Sequence, residues 1–218
     1  MKITYLGHAT FLVESGSTTI LIDPFDAKVG YPMPTVGPTA VLVSHEHGDH
    51  NHLAMASGAP KIIRGLADGQ WRTVKEQVDG VAIASVPTYH DATQGKERGR
   101  NTVFVIDAEG LRVVHLGDLG HPLDAAAVKA IGRPDVLMVP IGGHYTIDAN
   151  QAHDVVARLR PGIVIPMHYK TEVNAGAPIS AVDPFVAAAR GSRQAGHAVT
   201  VARGAVPKAP EVWVMSWR

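Results

Sequence analysis

Cysteine is missing from all 218 residues. That absence removes a disulfide framework, a thiolate nucleophile and any zinc site built on sulfur. An excess charge of one sign is missing too, because 20 basic residues balance 20 acidic ones and the formal net charge is zero. Without a broad positive field to hold a phosphate backbone or an anionic membrane, nucleic acid is not expected as the main partner. No apolar run is long enough to span a bilayer. The N-terminus, MKITYLGHATFLVE, alternates like strands and does not present a basic stretch followed by an apolar one. The expectation is a cytoplasmic protein with no membrane span. What remains is a globular composition, 45% hydrophobic and 18% charged, with enough apolar side chains for a sizeable core.

The first forty-odd residues read as short strands, KITYL, TFLVE and TTILID, broken at Gly7 and at Ser15, Gly16 and Ser17. A proline- and glycine-rich loop follows, and then TAVLVS (39–44), a β-branched apolar run of the kind covered on both faces. KIIR, VAIASV, NTVFVID and LRVVHLG are further strands, the last two a hairpin around AEG. In the second half strands DVLMVP and GIVIPM alternate with helices. LDAAAVKAIG stops at Gly132, DANQAHDVVARLRPG starts at a capping Asp148 and stops at Pro161, and DPFVAAARG takes Asp183 as cap and Pro184 as first helical residue. No linker or repeat divides the chain, so residues 1–218 are expected to form a single domain. Two packed sheets with helices outside fit this order, and so does an open α/β sheet.

The chemistry starts at VSHEHGDHNH (43–52), where His45, Glu46, His47, Asp49 and His50 crowd into one loop at the end of an apolar strand. In extended backbone His45 and His47 project to the same side. They can grip one ion, while Asp49 and His50, beyond Gly48, suit a second. A solvated polar loop is the plain alternative, but it leaves the density of ligand-type side chains unexplained, since imidazoles and carboxylates near a core need partners. Three more candidates close apolar runs of the same kind: His90 in SVPTYHD, Asp118 in VVHLGDLG and His168 in IVIPMHYK.

These motifs resemble the metallo-β-lactamase superfamily. Its HxHxDH signature matches His45, His47, Asp49 and His50, and PTYHD, HLGDLG and PMHYK match its later motifs in order. YLGHATFLVE, LIDPF, GDLGH, PIGGHYTIDA and IPMHYKT are similar to the small branch that includes ascorbate-6-phosphate lactonase. The resemblance implies an αββα sandwich, two mixed sheets packed face to face with helices outside. It also implies that His45, His47 and His90 hold one metal, that Asp49, His50 and His168 hold the other, and that Asp118 bridges them. Asp23 in LIDP would support the metal loop through hydrogen bonds without being a ligand. With no thiolate, the nitrogen and oxygen shell suits Zn2+, with Mn2+ as the alternative.

The other polar residues are weighed singly. His8 in GHA either approaches the site or is structural. His144 in GGHYT, with two glycines just before it, is the candidate to contact substrate or protonate a leaving group. His121 either orients a ligand or caps the following helix. DATQGKERGRN, after His90, reads as a solvated loop, but Arg98 and Arg100, together with Lys170, are where a substrate phosphate would find its counter-charge. The expected function is a dinuclear metal-dependent hydrolase. A metal-bridging hydroxide, assisted by Asp49, Asp118 and His144, would attack a small ester or lactone, phosphorylated or not. The alternatives are a phosphodiesterase acting on a nucleotide or lipid head group, and a metal-binding module without catalysis. The partner is a small molecule, and the oligomeric state is not readable from the chain.

Overall fold

The computed structural model describes residues 1–218. In chain order the strands begin with β1 (Lys2–Gly7), β2 (Thr10–Ser15), β3 (Thr18–Ile22), β4 (Ala40–Val43) and β5 (Lys61–Arg64). A small hairpin of β6 (Leu66–Ala67) and β7 (Gln70–Trp71) follows, and then β8 (Lys75–Val78), β9 (Val81–Tyr89), β10 (Arg100–Ala108) and β11 (Leu111–His115). The second half runs α1 (Ala125–Ile131), β12 (Val136–Pro140), α2 (Ala149–Leu159), β13 (Ile163–Met167), α3 (Asp183–Ala187), β14 (Ser192–Gly196), β15 (Ala198–Thr200) and β16 (Glu211–Met215).

Two mixed sheets result. One has six strands in the order β15-β1-β2-β3-β4-β5, and the other eight in the order β14-β16-β13-β12-β11-β10-β9-β8. Strands β1 to β3 pair antiparallel through short turns, whereas β3 with β4 and β12 with β13 pair parallel across longer connections. The two inner faces share a core built from side chains such as Ile3, Phe11, Ile20, Leu42, Phe104, Val113, Met138 and Ile165. This is the face-to-face pair of mixed sheets with helices outside that the resemblance implied.

Its outer layers are unequal. All three α-helices pack on the eight-stranded sheet, where Ile131, Val155, Leu159 and Phe185 meet Val105, Val114, Leu137 and Val164. The outer face of the six-stranded sheet carries no α-helix. Phe25, Tyr31 and Met55, from loops and single 3-10 turns, cover Leu21, Val41 and Val43 there. Strand β4 is therefore buried on both faces, as its unbroken apolar run requires.

Helix boundaries follow their caps. Asp124 accepts from Ala127 N to open α1, and Asp148 forms a reciprocal capping box with Gln151 to open α2. For α3 the expected cap is corrected. Val182 occupies the cap position, Asp183 is already helical, and neither makes a side-chain cap, which accords with a helix of only five residues. No helix is long and apolar enough to cross a membrane.

Candidate metal centre

One rim of the sandwich collects the polar residues singled out above. His8, Asp23, His45, His90, Asp118 and His168 each lie within three positions of the C-terminal end of a strand, in β1, β3, β4, β9, β11 and β13 respectively. Three of them, His8, Asp23 and His168, take left-handed backbone conformations with φ of 55°, 47° and 53°. Such conformations are costly outside glycine and persist where surrounding structure enforces them. Here the enforcement is visible: the His8 carbonyl accepts from both Tyr5 Oη at 3.0 Å and His168 N at 2.8 Å.

The loop after β4 turns by a hydrogen bond from His50 N to His47 O at 3.0 Å. Gly48 does not take a left-handed conformation, so the turn does not draw on the conformational freedom of glycine. Its smallness matters instead, because an added Cβ would lie 3.2 Å from Asp26 Oδ2. Glu46 points away and pairs with Arg64 at 2.6 Å.

The donor atoms gather in two sets. Those of His45, His47 and His90 lie within 4.8 Å of one another, and so do those of His8, Asp49, His50 and His168. Asp118, 2% exposed, stands between the sets. Its Oδ2 is 3.2 Å from Nε2 of each of His50, His90 and His168, and 3.9 Å from Nε2 of His45.

Asp23 fixes which nitrogen faces inward. Fully buried, it accepts from Ser44 N at 2.7 Å, Ser44 Oγ at 2.6 Å and His50 Nδ1 at 3.0 Å. Having given its proton to Asp23, the Ser44 hydroxyl accepts from His45 Nδ1 at 2.9 Å. Both imidazoles therefore carry their proton on Nδ1 and aim the Nε2 lone pair at the cluster, the tautomer that a metal requires. Nε2 of His45 and of His50, and Oδ1 of Asp118, are buried and make no hydrogen bond. Lone pairs directed at a carboxylate repel it unless positive charge lies between them. The residues present thus fit a divalent cation.

Electrostatics agree. Burial opposes the charged form of His50, but the nearby Asp118 carboxylate, together with the hydrogen bond to Asp23, outweighs it and raises the pKa well above the ordinary 6.5. For His45, burial dominates, the neighbouring His50 adds to it, and the pKa falls well below 6.5. Burial would raise Asp118, yet His168 and His50 hold it well below the usual carboxylate range. A charged Asp118 beside a neutral His45 is the protonation state in which carboxylate and imidazole both offer lone pairs to a cation.

His8 enters the cluster, with Nε2 3.1 Å from Asp49 Oδ2 and its ring 4.2 Å from that of His168. His121 does not cap α1, which Asp124 does. Its Nε2 accepts from Tyr89 N at 3.0 Å and its Nδ1 donates to Pro122 O at 2.8 Å, so it pins the backbone beside His90. Two further residues serve the site without a sequence signal having marked them. Buried Asn101 accepts from Asp118 N at 3.0 Å through Oδ1 and donates to Thr88 Oγ1 and Leu116 O, which fixes Asp118. Gly120 lies so close to His90 that an added Cβ would be 2.2 Å from its carbonyl carbon.

Above the cluster the cleft has two lobes that share Asp49, Tyr145 and His168. The smaller, about 280 Å³, is lined also by His47, His90, Arg98 and Asp118. The larger, about 400 Å³, is lined also by His8, Lys28, Val29, Asn174 and Ile179. His144 does not line either lobe. It is exposed, with its ring against Tyr145, and the tyrosine takes the cleft position. Arg100 also lies elsewhere, stacked over Trp71 and donating to Gly69 O, and Lys170 lines neither lobe. Of the three basic candidates the structure brings only Arg98 to the cleft.

Comparison with known proteins gives the same answer. Residues 2–168 match the model of the beta-lactamase superfamily domain. The UPF0173 metal-dependent hydrolase of Archaeoglobus fulgidus is 36% identical over 78% of this chain and 84% of that protein, and its Pyrococcus abyssi counterpart is 35% identical over 78% and 85%. A crystal structure of a metallo-beta-lactamase superfamily protein from Thermotoga maritima superposes with a TM-score of 0.80 at 38% identity, covering 98% of this chain and 97% of the other. With the signature residues gathered on one rim, the sandwich beneath them and these relatives beside it, the chain belongs to the metallo-β-lactamase superfamily as a metal-dependent hydrolase.

Proposed function

We propose that the centre is dinuclear and that the enzyme hydrolyses a small ester or lactone. The observation that carries this reading is the approach of three histidine Nε2 atoms to one carboxylate oxygen, Asp118 Oδ2, each at 3.2 Å. His45, His47 and His90 would hold one ion, Asp49, His50 and His168 the other, and Asp118 both. When bound, such a pair would supply Lewis acidity and lower the pKa of a coordinated water to roughly 7. Zinc is the choice favoured by the donor set and by the name given to the Thermotoga maritima neighbour, with manganese next.

The chain's own groups do the rest. Asp23 and Ser44 keep the His45 and His50 rings from rotating. His8 holds Asp49, the partly exposed carboxylate of the cluster, in place and keeps it ionised. Tyr145, in place of the expected His144, presents a phenol at the junction of the lobes to donate to a leaving oxygen. A second reading, attack on a phosphodiester, is favoured by Arg98 and Lys28, one permanent cation in each lobe. Both readings share the centre and differ in the substrate.

The test is elemental analysis of protein purified without added metal, followed by an ester, lactone and phosphodiester panel with His47→Ala as blank. Two ions per chain are expected, with loss of metal and turnover together in the variant. A variant that keeps both removes His47 from the centre, and full metal without turnover on any panel member leaves a binding module.

A further inference from the structure

The loop that joins β9 to β10 reads in sequence as a flexible polar segment, and the structure shows a built one. Asp91, 5% exposed, turns its carboxylate inward to the loop and not to solvent. Oδ1 accepts from Thr93 N, Thr93 Oγ1 and Gly95 N at 2.7–2.9 Å, and Oδ2 accepts from Glu97 N at 3.0 Å and Arg98 N at 2.7 Å. Five donors on one buried carboxylate fix the path of residues 93–98. The residue delivered at the end of that path is Arg98.

Arg98 is the one permanent cation that lines the smaller lobe, beside His47, His90 and Asp118. Its guanidinium lies 5.6 Å from the centroid of the Tyr145 ring. Its single ion pair, with Glu97 at 3.5 Å, is long, and Glu97 is 59% exposed, so that charge is screened and leaves the guanidinium largely uncompensated. Two residues along, Arg100 is occupied by Trp71 and Gly69. One arginine of the loop is thus committed to structure and the other is held free over the cleft.

We propose that Arg98 anchors an oxyanion group of the substrate and that Asp91 is its positioning residue. The proposal rests on the hydrolase reading of the centre and names the substrate class: an ester or lactone that bears a phosphate or carboxylate. A guanidinium carried on a backbone already fixed at the edge of the lobe meets such a group through two parallel hydrogen bonds. The larger lobe, with Lys28, Val29 and Ile179, then receives the less polar end of the same molecule.

The test is calorimetric titration of inorganic phosphate, and separately acetate, into zinc-loaded protein at fixed ionic strength. Arg98→Ala should weaken phosphate at least tenfold and Arg98→Lys less, with Arg100→Ala within twofold of the parent. Asp91→Asn should weaken it severalfold, and zinc content should stay unchanged in every variant. For any ester turned over, Arg98→Ala should raise KM for the phosphate-bearing form far more than KM for its neutral analogue. Unchanged phosphate affinity in Arg98→Ala overturns the proposal, and so does a tenfold loss in Lys28→Ala with none in Arg98→Ala. If Asp91→Asn fails to fold, the Arg98 variants decide the anchor. Loss of zinc in the parent protein is a failure of the metal centre and not of Arg98, whose phosphate affinity is then read on the metal-free chain.

Discussion

At the scale of single residues, the centre depends on side chains that touch no substrate. Asp23 is the clearest, because its two oxygens orient His45 through Ser44 and His50 directly. Asp23→Asn keeps the size but replaces one acceptor oxygen with a donor. Metal affinity should fall about 10- to 100-fold, the usual cost of losing such a partner, with the far-ultraviolet circular dichroism unchanged; metal titration measures it. The residues that cluster on this rim were legible in the sequence because imidazole and carboxylate directly after an apolar strand are expensive to bury without a partner, and HxHxDH repeats that cost within six positions. Asn101 and Tyr145 were not legible. The value of Asn101 comes from Asp118 and Leu116, 17 and 15 residues away, a contact that only folding creates. Tyr145 was overshadowed by its neighbour: glycines beside His144 marked the right loop, and the left-handed turn at His144 put the next side chain into the cleft.

At the scale of elements, strands were the readable part. Unbroken apolar runs marked β4, β12 and β13, and the alternation at the N-terminus marked β1 to β3. The exposed edge strand Ser192–Gly196 escaped notice, since SRQAG has neither apolar alternation nor β-branching and is ordered by pairing with β16. Helix α2 shows a local signal that survived intact. Asp148 and Gln151 satisfy each other's backbone donors, so Asp148→Ala should destabilise the protein by about 1 kcal/mol, within the usual range of 0.5–2 for a lost cap. Urea denaturation with an unchanged m-value would register it, and metal content should not move, because α2 packs on the far side of the eight-stranded sheet.

At the scale of the whole molecule, each set of donors draws on both sheets. His45 and His47 follow β4 of the six-stranded sheet while His90 follows β9 of the other, and His8, Asp49 and His50 meet His168 in the same way. A cation held there ties the two layers together, and the folded chain alone offers that arrangement. Chelation should therefore lower the thermal midpoint and zinc should restore it. The expected loss is about 4 kcal/mol when free metal stands a thousandfold above its dissociation constant. Scanning calorimetry with and without chelator reads the effect, and an unmoved midpoint would mean that nothing bound there spans the layers.

The unequal flanks of the sandwich carry an evolutionary consequence. Residues 25–31 shield the helix-free sheet with Phe25 and Tyr31 and, in the same stretch, give Lys28 and Val29 to the wall of the larger lobe. A lineage can therefore retune what it accepts by rewriting one short roof segment, while the catalytic floor and all three helices are inherited untouched.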